Sequence, residues 1–200
     1  SLSQEVTSSM RQAQAIFDRR GLPYEYLTAD EIRYRWPQFG PEGLAMAMYE
    51  PEALALRANL ACRVVADAVT RAGGRFMVGK ALAPRSSGRA SGVQLENGDT
   101  LGGDVFVFAC GPWLPRLFPD LLGGRIRVVR RDVLLFGPPA GDARFSYPNL
   151  PNWTESGQRT YGFPDVFGTG FKVAPSGGDE AFDPDTDDRF AREESIARAR

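Results

Sequence analysis

Histidine is absent from the 200 residues, which removes Ser-His-Asp and Cys-His catalysis and the commonest metal ligand together. Cysteine is scarce. Cys62 and Cys110 stand in apolar stretches without a CxxC or Cys/His spacing, and they read as buried thiols in a reducing, cytoplasmic compartment. Neither charge sign is in excess: 24 Lys and Arg oppose 25 Asp and Glu for a net −1. No cluster of basic residues interleaves with aromatics, so nucleic acid is not an expected partner. No apolar run reaches the roughly 18 residues a membrane span needs, and the first residues, SLSQEVTSSMRQAQ, lack the basic-then-apolar layout of a secretory leader. No membrane association is expected. The chain begins on Ser and stops at ARAR within a charged helical pattern, so both ends read as cuts.

What remains is a balanced globular composition, 42% apolar and 24% charged, enough for one domain or parts of two. Val6, Met10, Ala13, Ile16 and Phe17 recur at spacings of three and four, which predicts an amphipathic helix over 2–20 that ends at Gly21. Thr28 and Glu31 have the spacing of a capping box, opening a second helix that stops before Trp36-Pro37. Residues 57–72 place Leu60, Val64, Val65, Ala68 and Val69 on one helical face before Gly73-Gly74. A strand is expected over 75–79, then a hairpin turning on Asn97-Gly98, then a continuous apolar strand over 104–110 that runs into Gly111-Pro112. That order is a β-α-β unit with an antiparallel excursion. Beyond it, 125–136 reads as one long strand, 160–174 as aromatic and glycine-rich strands, and the acids from Asp183 as the start of a helix.

Two motifs admit competing readings. Gly168-Thr169-Gly170-Phe171-Lys172-Val173-Ala174 fits GxGxxA, the spacing with which a helix N-terminus receives a pyrophosphate. Pro175 and the glycines after it deny a helix room to form, which favours a strand or turn. Asp183, Asp185, Asp187 and Asp188 suggest calcium, but the central glycine and distal glutamate of an EF-hand loop are missing, and a helix cap accounts for them at lower cost.

Three segments together resemble monomeric sarcosine oxidase and its relatives in the D-amino-acid-oxidase-like flavoprotein group. Leu27–Pro37 (LTADEIRYRWP), with Tyr49-Glu50-Pro51 a short distance on, looks like that group's acidic helix ending in Trp-Pro. Asp104–Trp113 (DVFVFACGPW) looks like its strand ending in a Gly-x-Trp turn. Most specific is the series Tyr161-Gly162-Phe163-Pro164, Gly168-x-Gly170-x-Lys172-Val173 and Asp183-Pro184-Asp185-Thr186. The resemblance covers nearly all of the chain. It implies mixed α/β and α+β architecture: part of a doubly wound FAD-binding domain over 49–120, and an antiparallel-sheet substrate domain in two pieces, 1–48 and 121–200.

Carried over residue by residue, Lys172 matches the lysine near the flavin N5 edge and Tyr161 an active-site tyrosine. A fixed cation suits that place, because electron transfer to O2 develops negative charge in a poorly solvated site. Ala109, Cys110 and Gly111 match the backbone that approaches the adenosine side of FAD, where a glycine leaves no Cβ in the way. Leu82 matches a backbone contact to the adenine. The resemblance thus implies oxidation of an amino-acid or N-methyl amino-acid amine to an imine, with O2 reoxidising FAD. Its alternatives are a dehydrogenase serving another acceptor and a non-catalytic binding domain. The group's GxGxxG turn is not found in this sequence, so these 200 residues alone are expected to be inactive, and Ser176 stands where the group has a histidine four residues after the lysine.

Overall fold

The computed structural model describes residues 1–40, 44–84, 88, 90–157, 159–176 and 178–199. In chain order the elements are β1 (Leu2–Ser3), α1 (Ser8–Arg20), β2 (Glu25–Thr28), α2 (Ala29–Arg35), β3 (Met46–Tyr49), α3 (Ala58–Arg71), β4 (Val93–Gln94), β5 (Thr100–Leu101), α4 (Leu114–Leu117), α5 (Pro119–Leu122), β6 (Leu134–Phe136), β7 (Trp153–Glu155), β8 (Thr160–Phe163), β9 (Phe171–Pro175) and α6 (Glu193–Ala199). They divide into two units. One holds 1–55, 131–178 and 189–200; the other holds 56–130 and 179–188.

The first unit is built on a seven-stranded mixed sheet in the order β2-β3-β1-β7-β8-β9-β6. Every pairing is antiparallel except β1 with β7. Tyr161-Gly162-Phe163 supplies the alternation a two-sided strand needs, and β9 answers it with Tyr161 opposite Ala174, Gly162 opposite Val173 and Phe163 opposite Lys172. The core lies at the β2-β3-β1 end, where Leu2, Leu27, Ile32 and Ala47 are buried and Trp36, Phe39, Leu44, Tyr49 and Trp153 pack around them. Thr28 forms the expected capping box: its hydroxyl accepts from the Glu31 N–H at 3.3 Å, and its own N–H donates to the Glu31 carboxylate at 2.8 Å. Fixing α2 this way directs Ile32, the most deeply enclosed side chain, into that core.

The predicted first helix begins later than its apolar spacing suggests. Leu2 and Ser3 pair instead with Ala47 and Met46, and Leu2 pairs with Glu155, so the sheet claims the residues that the 3.6-residue period had assigned to α1. The helix then starts on Thr7, whose hydroxyl accepts from the Met10 N–H, and ends at Gly21 in the left-handed region (φ 63°).

In the second unit, α3 forms where its periodicity places it and Asn97-Gly98 turns the β4–β5 hairpin, with Gly98 at φ 93°. The strands expected over 75–79 and 104–110 are not formed, and no parallel ladder occurs in this unit among the described residues. Residues 104–110 keep a strand's alternation without a partner strand among the described residues: Phe106, Phe108 and Cys110 are half-buried, while Val105, Val107 and Ala109 are exposed. Apolar residues on both faces encode a buried strand only where a neighbouring strand satisfies both backbone edges. The long strand over 125–136 is likewise reduced to β6, with an isolated bridge from Val129 to Ala181.

The acidic run does not open a helix. α6 starts at Glu193, and the aspartates are consumed by ion pairs and turns. Arg116 pairs with both Asp183 and Asp185, and the indole of Trp113 donates to Asp185 at 2.9 Å. Arg130, 7% exposed in its side chain, lies between Glu180 at 3.7 Å and Asp188 at 3.6 Å and covers the ring of Phe182. With Arg127 pairing with Asp179 at 3.8 Å, segment 179–188 is thereby strapped to the rest of the second unit by three arginines. The cysteines also differ from expectation: Cys110 is half-buried and Cys62 is exposed, because the face of α3 that carries Cys62 is uncovered.

Candidate functional site

The GxGxxA segment settles as a turn and a strand. Asp165 accepts hydrogen bonds from the N–H groups of Phe167, Gly168 and Thr169 at 2.7–3.1 Å, closing the turn with a carboxylate of the chain itself. Burial pushes the Asp165 carboxyl up, but these donors and Gly170 together outweigh it and hold the group below its ordinary range. Gly170 has φ 99°, and a Cβ there would stand 2.6 Å from the Phe136 carbonyl oxygen. The turn therefore delivers β9 against β6 and β8 at a fixed register, and that register sets the position of Lys172.

Lys172 projects on the same face as Tyr161 and Phe163. Its Nζ lies 4.8 Å from each ring centroid, and the two rings meet edge to face at 5.9 Å. Among the described residues no carboxylate lies within ion-pair distance of it. The half-buried ammonium is thus held by two π faces, each contributing roughly 0.5–2 kcal/mol according to solvent access, and its charge is left uncancelled. A cation held this way can stabilise an anion that develops beside it.

Tyr161 and Phe163 also wall a cavity of about 630 Å³ in the first unit, together with Trp36, Tyr49, Tyr147 and Trp153. Gly162 makes this wall possible, since a Cβ there would meet the Trp153 indole at 2.5 Å. Sequence reasoning missed Phe163 and Trp153. The signals were present in the two-residue spacing from Tyr161 to Phe163 and in the glycine between them. A second cavity of about 660 Å³ is lined by Arg35 and Arg144, but both are already paired, Arg35 with Glu25 and Arg144 with Asp142.

Of the sequence-predicted site residues, Lys172 and Tyr161 are brought together in the first unit. Leu82, Ala109, Cys110 and Gly111 belong to the second. The half-buried Leu82 donates its N–H to the Gln94 carbonyl at 2.8 Å beside the hairpin. Cys110 accepts from the Trp113 N–H at 3.1 Å as residues 111–113 make a 3-10 turn. Gly111 has φ 51°, and no atom lies within 4 Å of where its Cβ would stand. An L side chain is disfavoured there, and the exposed backbone leaves room for a bulky group, as it does at other open glycines such as Gly98 and Gly141. Among the described residues no cluster of three or more metal-ligating side chains occurs, and no helix is long and apolar enough to cross a membrane.

The model of the DAO family, FAD dependent oxidoreductase, matches residues 2–200. The monomeric sarcosine oxidase of Streptomyces avermitilis is 29% identical over 197 residues, covering 96% of this chain and 50% of that protein. The N-methyl-L-tryptophan oxidase of Yersinia pestis strain Pestoides F is 29% identical over 168 residues, 82% of this chain and 43% of that protein. The crystal structure of a thermally stable mutant of fructosyl peptide oxidase shares the fold with a TM-score of 0.64 at 21% identity, over 87% of this chain and 44% of that one. The chain spans about half the length of the curated relatives it matches.

Proposed function

The chain belongs to the DAO family of FAD-dependent oxidoreductases, and from that premise we propose that it serves the oxidation of an amino-acid or N-methyl amino-acid amine to an imine, with O2 as the final electron acceptor. The observation that carries this reading is the ammonium of Lys172, fixed over two rings and unpaired with any carboxylate among the described residues. When bound, FAD supplies the two-electron chemistry at the C–H next to nitrogen. Lys172 supplies a fixed positive charge toward which reduction of O2 proceeds at lower cost in a poorly solvated site. Tyr161 offers its ring and hydroxyl to the amine in the 630 Å³ cavity. The names of two relatives, a sarcosine oxidase and an N-methyl-L-tryptophan oxidase, support a secondary amine as substrate.

On this reading the adenosine side of FAD lies along the backbone of Leu82 and of Ala109, Cys110 and Gly111, where the open position at Gly111 leaves room for it. We assign 49–120 to the cofactor and 1–48 with 121–200 to the substrate. Gly111 and Lys172 fall in different units, which supports the division, although 49–55 lie in the first unit and 121–130 and 179–188 in the second, so the unit boundaries do not coincide with it. The exposed free thiol of Cys62 suits a reducing, cytoplasmic compartment.

The test is a visible spectrum of the purified full-length protein that carries this chain, followed by oxygen uptake on N-methyl amino acids. Flavin absorbance with amine-dependent oxygen uptake is expected. A flavin spectrum bleached by the amine, with transfer only to an artificial acceptor, identifies the dehydrogenase alternative. A colourless protein that gains no absorbance on adding FAD overturns the enzymatic reading.

A further inference from the structure

Resting on the assignment of Lys172 as the cation beside the reacting oxygen, we propose that Phe163 is its positioning residue. The β8–β9 register puts Phe163 directly opposite Lys172, with Tyr161 two residues away on the same face. The ammonium lies at one distance, 4.8 Å, from both ring centroids, so neither ring alone defines where it sits. The rings stand at 85° to each other and form a corner. A cation drawn to two π faces at a right angle has one shared minimum, whereas a single face would let the flexible four-carbon stem swing. A carboxylate could hold the lysine as firmly, but it would neutralise the charge on which the reaction draws. An aromatic corner holds the cation and leaves the charge.

Phe163 carries no acid, base or hydrogen-bonding group, so its contribution must pass through Lys172. Tyr161 is the other half of the corner, and its hydroxyl is not needed for this role. The proposal therefore separates ring from hydroxyl. Phe163→Tyr and Tyr161→Phe preserve the corner, while Phe163→Leu removes half of it.

The first readout needs neither cofactor nor turnover: the NMR shifts of the Lys172 ε-methylene protons, assigned by their loss in Lys172→Met. Protons above ring faces are displaced upfield. The displacement is expected in the unaltered protein, retained in Phe163→Tyr and Tyr161→Phe, and reduced in Phe163→Leu. Unshifted ε-protons in the unaltered protein overturn the proposal, and they remain measurable if Phe163→Leu fails to fold. The second readout splits the catalytic cycle in the FAD-loaded protein. Phe163→Leu is expected to slow reoxidation by O2 about tenfold, a larger factor than its effect on the limiting rate of anaerobic reduction at saturating amine, since Phe163 also walls the cavity, and Phe163→Tyr restores the rate. Equal slowing of both halves, or a failure of Phe163→Tyr to restore reoxidation, overturns it. If Lys172→Met itself leaves reoxidation unchanged, the parent reading fails instead, which keeps the two failures apart.

Discussion

At the scale of single residues, the site depends on what is missing as much as on what is present. Gly162 carries no side chain, and the Trp153 indole occupies the space a Cβ would take, at 2.5 Å. Gly162→Ala forces the indole or the strand to move, a form of overpacking that costs typically 1–3 kcal/mol. Denaturant unfolding followed by tryptophan fluorescence should show a lower midpoint with an unchanged slope. An unchanged midpoint would mean that the indole is not seated beneath the glycine. Lys172 and Tyr161 could be named from the sequence because they sit in a segment resembling a known family. Their contact could not, since it depends on the register between β8 and β9. Phe163 was overlooked for the same reason: alternation shows which residues share a face, but not what crosses from the next strand.

At the scale of elements, legibility followed locality. The capping box at Thr28–Glu31 and the turn at Asn97-Gly98 involve residues a few positions apart, and both form as their spacing predicts. The strands expected over 75–79 and 104–110 needed partners that apolar composition does not name. The aspartates of 183–188 were misread because a helix cap and an ion-pair strap call for the same residue types. Only the fold brings Arg116 and Arg130 to them. Replacing Arg116 with Leu should release the 179–188 strap from the Trp113 turn. Faster amide exchange across 183–188, together with a change in Trp113 emission, is the expected outcome. Protection equal to the parent's would show that the strap holds without Arg116.

Acid should act on the same elements. Asp142 is held at about 2, first by its hydrogen bonds from the Arg144 side chain and then by the Arg144 N–H. The Asp183 carboxyl is held below its ordinary value chiefly by the Asp185 N–H. A carboxylate whose folded pKa is depressed contributes stability above its unfolded value, near 4, and loses that contribution as pH falls through the folded one. Stability should therefore be steady above about pH 5 and fall between roughly pH 4 and pH 2. The unfolding midpoint measured against pH checks this, and a loss that begins near neutrality would contradict it.

At the scale of the whole molecule, the two units differ in how well each covers its apolar surface. The first encloses Met10, Leu27, Ile32 and Met48. In the second, α3 has no buried residue, and Val78, Val105 and Val107 are each more than four-fifths exposed. Large apolar side chains left this exposed offer binding surface to an apolar partner or ligand. This 200-residue chain should bind a hydrophobic dye strongly. Substituting Val65 and Val69 together with Lys should lower dye binding without lowering the melting temperature. A fall in melting temperature would mean that the face is packed in solution.

The central claim is that Lys172 serves the reaction with oxygen and not the reaction with the amine. Rapid-mixing kinetics on the FAD-loaded protein test it most directly, comparing Lys172→Met with the parent in anaerobic reduction by an N-methyl amino acid and in reoxidation by O2. The account predicts reoxidation slowed by about 100-fold or more with reduction nearly unchanged. Reoxidation at the parent's rate would contradict it.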